Sequence, residues 1–100
     1  MSYNTPEGKV KKKLVEMLKK HKIWYFFPAS NGFGKAGIPD VIACIDGLLV
    51  GIECKADKTK SPTVLQIECG KGIRQSGGFW FLVYDEQTIG DVEKFILKNR

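Results

Sequence analysis

One hundred residues carry a formal net charge of +5 and a hydrophobic fraction of 43%, which is one domain with material for one modest core. No apolar run nears the ~20 residues of a membrane helix, and no apolar leader precedes a small-residue cleavage site, so a cytoplasmic protein is expected. Cys44, Cys54 and Cys69 are odd in number and lack C-x-x-C spacing, so they are expected to be reduced.

Thr5 and Pro6 read as the N-cap and first position of a helix. Val10, Leu14, Met17 and Leu18 repeat at helical spacing and mark its buried stripe. Glu7, three residues before Val10, is expected on that stripe, pointing toward the sheet; complementing the helix dipole is the competing role. Lys9, Lys11, Lys12, Lys13, Lys19, Lys20 and Lys22 form either a solvated helix face or an attractor for phosphates. His21 falls near the helix end, where a surface or dipole role outweighs catalysis.

Ile23 to Phe27 is a β-prone aromatic run closed by Pro28. A glycine-rich loop, Asn31-Gly-Phe-Gly-Lys35-Ala-Gly37, then leads to Pro39-Asp40. Lys35, its only charge, and Asn31 are candidate polar contacts to a phosphate, and its glycines allow close approach to a ligand. Asp46-Gly47 between two apolar runs signals a two-residue hairpin turn. With Ile45 and Leu48 flanking the turn, Asp40 falls opposite Glu53, and Cys44 and Cys54 point to opposite faces. Side chains directly opposed across an antiparallel pair have Cβ atoms roughly 4.5–5.5 Å apart. Two carboxylates at that distance repel by roughly 3 kcal/mol at an effective dielectric of about 20. Strand alternation adds Lys55 to the same face. Solvated strand-end charges neutralised by Lys55 would account for this set. A hard-cation site with a basic partner also would, and that is the chemistry of metal-dependent phosphodiester cleavage.

Beyond the hairpin, Ala56 to Pro62 is a polar loop whose Lys58 and Lys60 are further candidate DNA contacts. Thr63-Val-Leu-Gln66 fits a capping box, which by itself accounts for Gln66. That helix is expected to run to about Gln75 despite Gly70 and Gly72, ending at Gly77-Gly78. Phe79 to Tyr84 reads as a buried strand, and Asp91 to Asn99 as a closing helix with Val92, Phe95 and Ile96 on one face. The order is α-β-β-β-α-β-α.

Pro39-Asp40, thirteen residues, then Glu53-Cys54-Lys55 resembles the PD-(D/E)xK nuclease signature. With Glu7, Asn31-Gly32, Gly37-Ile-Pro-Asp40, Pro62-Thr-Val-Leu-Gln66 and Gly77-Gly78 in order, the whole chain resembles the small stand-alone phage and bacterial members of the VRR-NUC (virus-type replication-repair nuclease) family. The resemblance implies a mixed sheet flanked by helices in a restriction-endonuclease-like α/β core. It implies a Mg²⁺ ion, with Mn²⁺ able to replace it, held by Asp40, Glu53 and the Cys54 carbonyl, with Glu7 direct or through water. Lys55 would orient the attacking water and Gln66 would lie beside the site. It further implies DNA cleavage in repair, selective for branched DNA such as four-way (Holliday) junctions, in a bacterial or phage-infected cell. A homodimer is expected because two strands need two sites. A less selective nickase or flap nuclease, and a silent nuclease fold that only binds DNA, are the competing readings. No small-molecule cofactor and no membrane are implied.

Overall fold

A computed structural model describes residues 3–29 and 36–100. Helix α1 (Pro6–Lys20) starts where Thr5 Oγ1 accepts the Gly8 N–H at 2.9 Å, with Pro6 in its first turn. Strands β1 (Trp24–Phe26), β2 (Val41–Ile45) and β3 (Leu48–Cys54) follow, then helix α2 (Val64–Gln75), strand β4 (Phe79–Val83) and helix α3 (Glu86–Lys98). This is the expected α-β-β-β-α-β-α order.

The four strands make one mixed sheet in the order β1-β2-β3-β4. The first two pairings are antiparallel and β3–β4 is parallel. Asp46 and Gly47 both have positive φ, 51° and 80°, as a type I′ turn requires. The register follows: Ile45 pairs with Leu48, Ala43 with Val50, and Val41 with Ile52.

The alternation of the strands divides the buried side chains between two faces. Val41, Ala43, Ile45, Val50, Ile52, Cys54 and Val83 form one core with Leu14 and Leu18 of α1 and with Val92 and Ile96 of α3. Helix α2 covers the other face over β3 and β4. A Cβ on Gly70 would lie 2.7 Å from the Trp80 ring, so this glycine, a poor helix former, lets α2 close on the sheet.

Three elements differ from expectation. Helix α3 begins at Glu86 rather than Asp91, because Asp85 and Thr88 form a reciprocal capping box that starts it a turn earlier. Strand β4 is an edge strand, so of its run only Val83 is buried. Strand β1 is shorter than Ile23–Phe27, and Trp24 is 66% exposed because α2 does not extend over β1. Cys44 and Cys54 point to opposite faces, exposed and buried, and the three cysteines are free.

Candidate active site

The hairpin register, carried one pair beyond β2, sets Asp40 against Glu53. The side chains bear this out: the Asp40 N–H donates to Glu53 Oε1 at 3.2 Å, and the Cys54 N–H donates to Asp40 Oδ2 at 2.9 Å. Each carboxylate thus caps a backbone donor at the point where the β2–β3 ladder stops.

Pro39 explains why it stops there. In a two-residue hairpin the flanking pair Ile45–Leu48 is hydrogen-bonded, and the bonded kind recurs at every second pair. The next bonded pair after Val41–Ile52 is therefore Pro39–Cys54. Pro39 has no N–H to give. The Cys54 N–H turns to the Asp40 carboxylate, and the Cys54 carbonyl, which faces the same side, receives no ladder donor from Pro39. The Lys55 N–H points the other way, to the Val83 carbonyl at 2.9 Å, as alternation requires. Two carboxylates and one main-chain carbonyl therefore converge at one sheet end. All are hard oxygen donors of the kind that suits Mg²⁺ or Mn²⁺.

Glu53 is 2% exposed. Its pKa is pushed from an ordinary 4.5 up to about 7. Burial is the largest cause and the Asp40 charge the second; Lys55 and the Asp40 N–H oppose the rise. Lys55 Nζ stands 3.7 Å from Glu53 Oε2. That is longer than a charge-assisted hydrogen bond of about 2.7–2.9 Å, so the ammonium balances charge without being consumed by the carboxylate.

Gln66 caps its helix and also contacts Glu53. Its Oε1 accepts the Thr63 N–H at 2.8 Å, completing the capping box of α2, and its Nε2 donates to Glu53 Oε2. The cap holds the amide, and the amide holds the carboxylate. Gly37 keys the approach to Asp40: its φ is +80°, and a Cβ there would lie 2.2 Å from the Leu65 carbonyl oxygen in the first turn of α2. The Pro39–Asp40 segment and Gln66 are thereby clamped together.

The remaining candidates divide. Glu7 is exposed rather than on the inward stripe, because Gly8 takes the buried place in the first turn of α1. Its charge still adds a small upward push to Glu53. Lys58 and Lys60 are exposed on the loop that leaves β3 at the acid-bearing end. Asn31 and Lys35 lie outside the described residues. Among the described residues no three His, Cys, Asp or Glu side chains gather as metal ligands; the acids form a pair.

Lys11 is one of a run of lysines in the sequence, and the fold singles it out. It is half-buried, with Nζ 4.6 Å from the centroid of Phe27. Its charge partly offsets the burial that pushes the Cys54 thiol up, placing it within electrostatic reach of the site. Its spacing, one residue past Val10 at the rim of the apolar stripe, is the signal that separates it from Lys12 and Lys13.

No family model matches the chain, and no protein among the curated ones matches it.

Proposed function

We propose that this protein is a Mg²⁺- or Mn²⁺-dependent DNA endonuclease of the PD-(D/E)xK type, akin to the stand-alone VRR-NUC nucleases. One observation carries the reading: at the end of a hairpin the Glu53 carboxylate accepts the Asp40 N–H and the Asp40 carboxylate accepts the Cys54 N–H, with Lys55 3.7 Å from the buried glutamate. A fold optimised for stability alone has little use for a buried carboxylate pair with an elevated pKa. Such arrangements cluster at functional sites.

Asp40, Glu53 and the Cys54 carbonyl would hold the cation, with Glu7 reaching it through water. When bound, the ion polarises the scissile phosphate and lowers the pKa of a coordinated water. Lys55 orients the attacking water and meets the charge that develops on the phosphate as the new P–O bond forms and the bond to the leaving oxygen breaks. Gln66 fixes the Glu53 rotamer. Lys11, Lys58 and Lys60 draw in the DNA backbone.

The preferred substrate on this reading is branched DNA, four-way junctions in particular, cut in a cytoplasmic repair role by a homodimer with two sites. The test is incubation with labelled four-way junction, flap and linear duplex, with Mg²⁺ and with chelator. Paired, Mg²⁺-dependent nicks in the junction are expected. Junction binding without any cleavage would instead mark a silent nuclease fold, and equal cutting of all three DNAs a less selective nickase. Sedimentation at micromolar concentration is expected to give a dimer; a monomer that fully resolves junctions contradicts that part.

A further inference from the structure

The face of the sheet that carries Asp40 and Glu53 does not end at the acids. Asp40, Ile42 and Cys44 alternate onto the same side, and the register sets Phe26 against Ile42 and Trp24 against Cys44. With a strand rise of about 3.3 Å per residue, successive positions on one face are roughly 6.6 Å apart. The rows Trp24, Phe26 and Asp40 therefore follow one another toward the acid-bearing end. Trp24 is 66% exposed and Phe26 44%, and their ring centroids are 5.6 Å apart at 52°. A groove of about 790 Å³ runs from Phe26 past Ile42 and Leu49 to Pro39, the residue next to Asp40.

We propose that the Trp24–Phe26 rings and this groove receive unpaired nucleobases of the strand whose phosphate is held at the Asp40–Glu53 site. The inference rests on the nuclease reading and narrows its branched substrates to those with unpaired nucleotides beside the scissile phosphate, such as a junction opened at its crossover or a flap.

Three observations favour bases as the occupant. The rings pack at a tilt against each other while both remain exposed, leaving π-faces of the kind on which bases of any sequence stack. Among the described residues no acidic side chain lines the groove, so a phosphate backbone passing along it meets no repulsion from them inside a chain of charge +5. The groove also reaches Pro39, one residue from Asp40, so a strand whose phosphate is held at the acids has a short path into it.

The test is equilibrium binding in the absence of divalent cation, so that no cleavage intervenes. The probes are a blunt duplex and the same duplex with an oligothymidine arm; the proteins are the wild type, Trp24→Ala and Trp24→Phe. Stacking of this kind changes affinity by roughly 5- to 100-fold per base. The arm is expected to tighten wild-type binding at least about 5-fold and to quench the exposed-tryptophan fluorescence. Trp24→Ala should erase the gain while blunt-duplex binding and the melting temperature stay put, and Trp24→Phe should keep most of it. An arm without effect on the wild type, or a Trp24→Ala protein that still gains from it, overturns the proposal. So does a Trp24→Ala protein that sediments as half the wild-type mass and loses affinity for both DNAs equally, because the face is then an interface between copies. Arm-dependent binding in a protein that cuts nothing with Mg²⁺ would leave the stacking surface standing and remove the nuclease. Cleavage without Trp24-dependent binding does the reverse.

Discussion

Two clusters of charge in this small protein are built on opposite terms. At the hairpin end, Glu53 is buried against Asp40 and its pKa rises to about 7. At the seam between α1 and α3, Lys20 Nζ and His21 Nε2 both meet Glu93 Oε2, at 3.2 and 2.6 Å, and Lys13 meets Glu86 at 3.2 Å. There the His21 and Lys20 contacts hold the Glu93 carboxyl below its usual range. The seam uses charge in contacts that cost little because water still reaches them. The hairpin end buries charge where it costs stability, and on the nuclease reading the return on that cost is chemistry.

Lys55→Ala breaks the comparison most sharply. On the nuclease reading it removes a group that acts as charge develops in the transition state, so cleavage should fall roughly 10²–10³-fold. Junction affinity should barely change, because one phosphate-directed charge among many alters the salt-dependence slope by about one unit at most. Asp40→Asn should lose metal affinity as well as rate. Single-turnover cleavage beside a Mn²⁺ titration separates the two. A Lys55→Ala protein that cuts at the wild-type rate removes the lysine from the mechanism.

The two clusters also differ in how legible they are in the sequence. The hairpin end could be read because a two-residue Asp-Gly turn leaves no freedom of register: once Ile45 and Leu48 flank it, Asp40 must meet Glu53. Gln66 could be read for the same kind of reason, since a capping box fixes its amide within one turn. The seam was not legible, because Lys13–Glu86 and His21–Glu93 join residues over 70 positions apart across a helix pair that no local rule aligns. The exposure of Glu7 escaped because periodicity is a weak guide in a first turn, where Gly8 turned inward in its stead. Helix α3 starts a turn ahead of its apolar stripe of Val92, Phe95 and Ile96, because the Asp85–Thr88 capping box and not the stripe sets its first residue.

Gly37→Ala should disturb the hairpin end without touching a charge. The new Cβ meets the Leu65 carbonyl at 2.2 Å, and the positive φ is itself unfavourable for alanine. A loss of roughly 1–3 kcal/mol is expected, read by denaturant melts. Because the clamp links Asp40 to Gln66, cleavage should fall more than stability explains when both are measured well below the melting temperature.

Glu53→Gln sharpens the contrast through pH. The folded-state pKa lies above the unfolded one, so between about pH 4.5 and 7 the native protein binds the extra proton. Stability therefore falls as pH rises through that window and is flat above it. Removing the charge should raise stability at pH 8 by roughly 1–3 kcal/mol while abolishing cleavage. Mg²⁺ should stabilise the wild type more at pH 8 than at pH 5.5, since the ligand must be deprotonated, and should not stabilise the glutamine variant. A variant less stable than the wild type at pH 8 would show that Glu53 is a structural anion rather than a strained one.

The smallest effect is expected at the seam, and its sign is opposite. Glu93 has its pKa depressed in the folded state, so its contribution is present above the ordinary carboxylate range and is lost as pH falls through the lower folded value. Glu93→Gln should lower the melting temperature slightly at neutral pH. Added salt should shrink that difference, because exposed pairs are screened. In strong acid the wild-type carboxyl is itself protonated, and the two proteins should melt together. Acidification thus favours the hairpin end and weakens the seam. The slope between pH 4.5 and 7 should vanish from the Glu53→Gln profile, whereas the Glu93→Gln profile should keep it and lose only part of the fall in acid, to which Asp57 and Asp85 also contribute. If the Glu93→Gln protein instead loses the slope between pH 4.5 and 7, the titration assigned to Glu53 belongs to the seam, and the contrast between the two clusters fails.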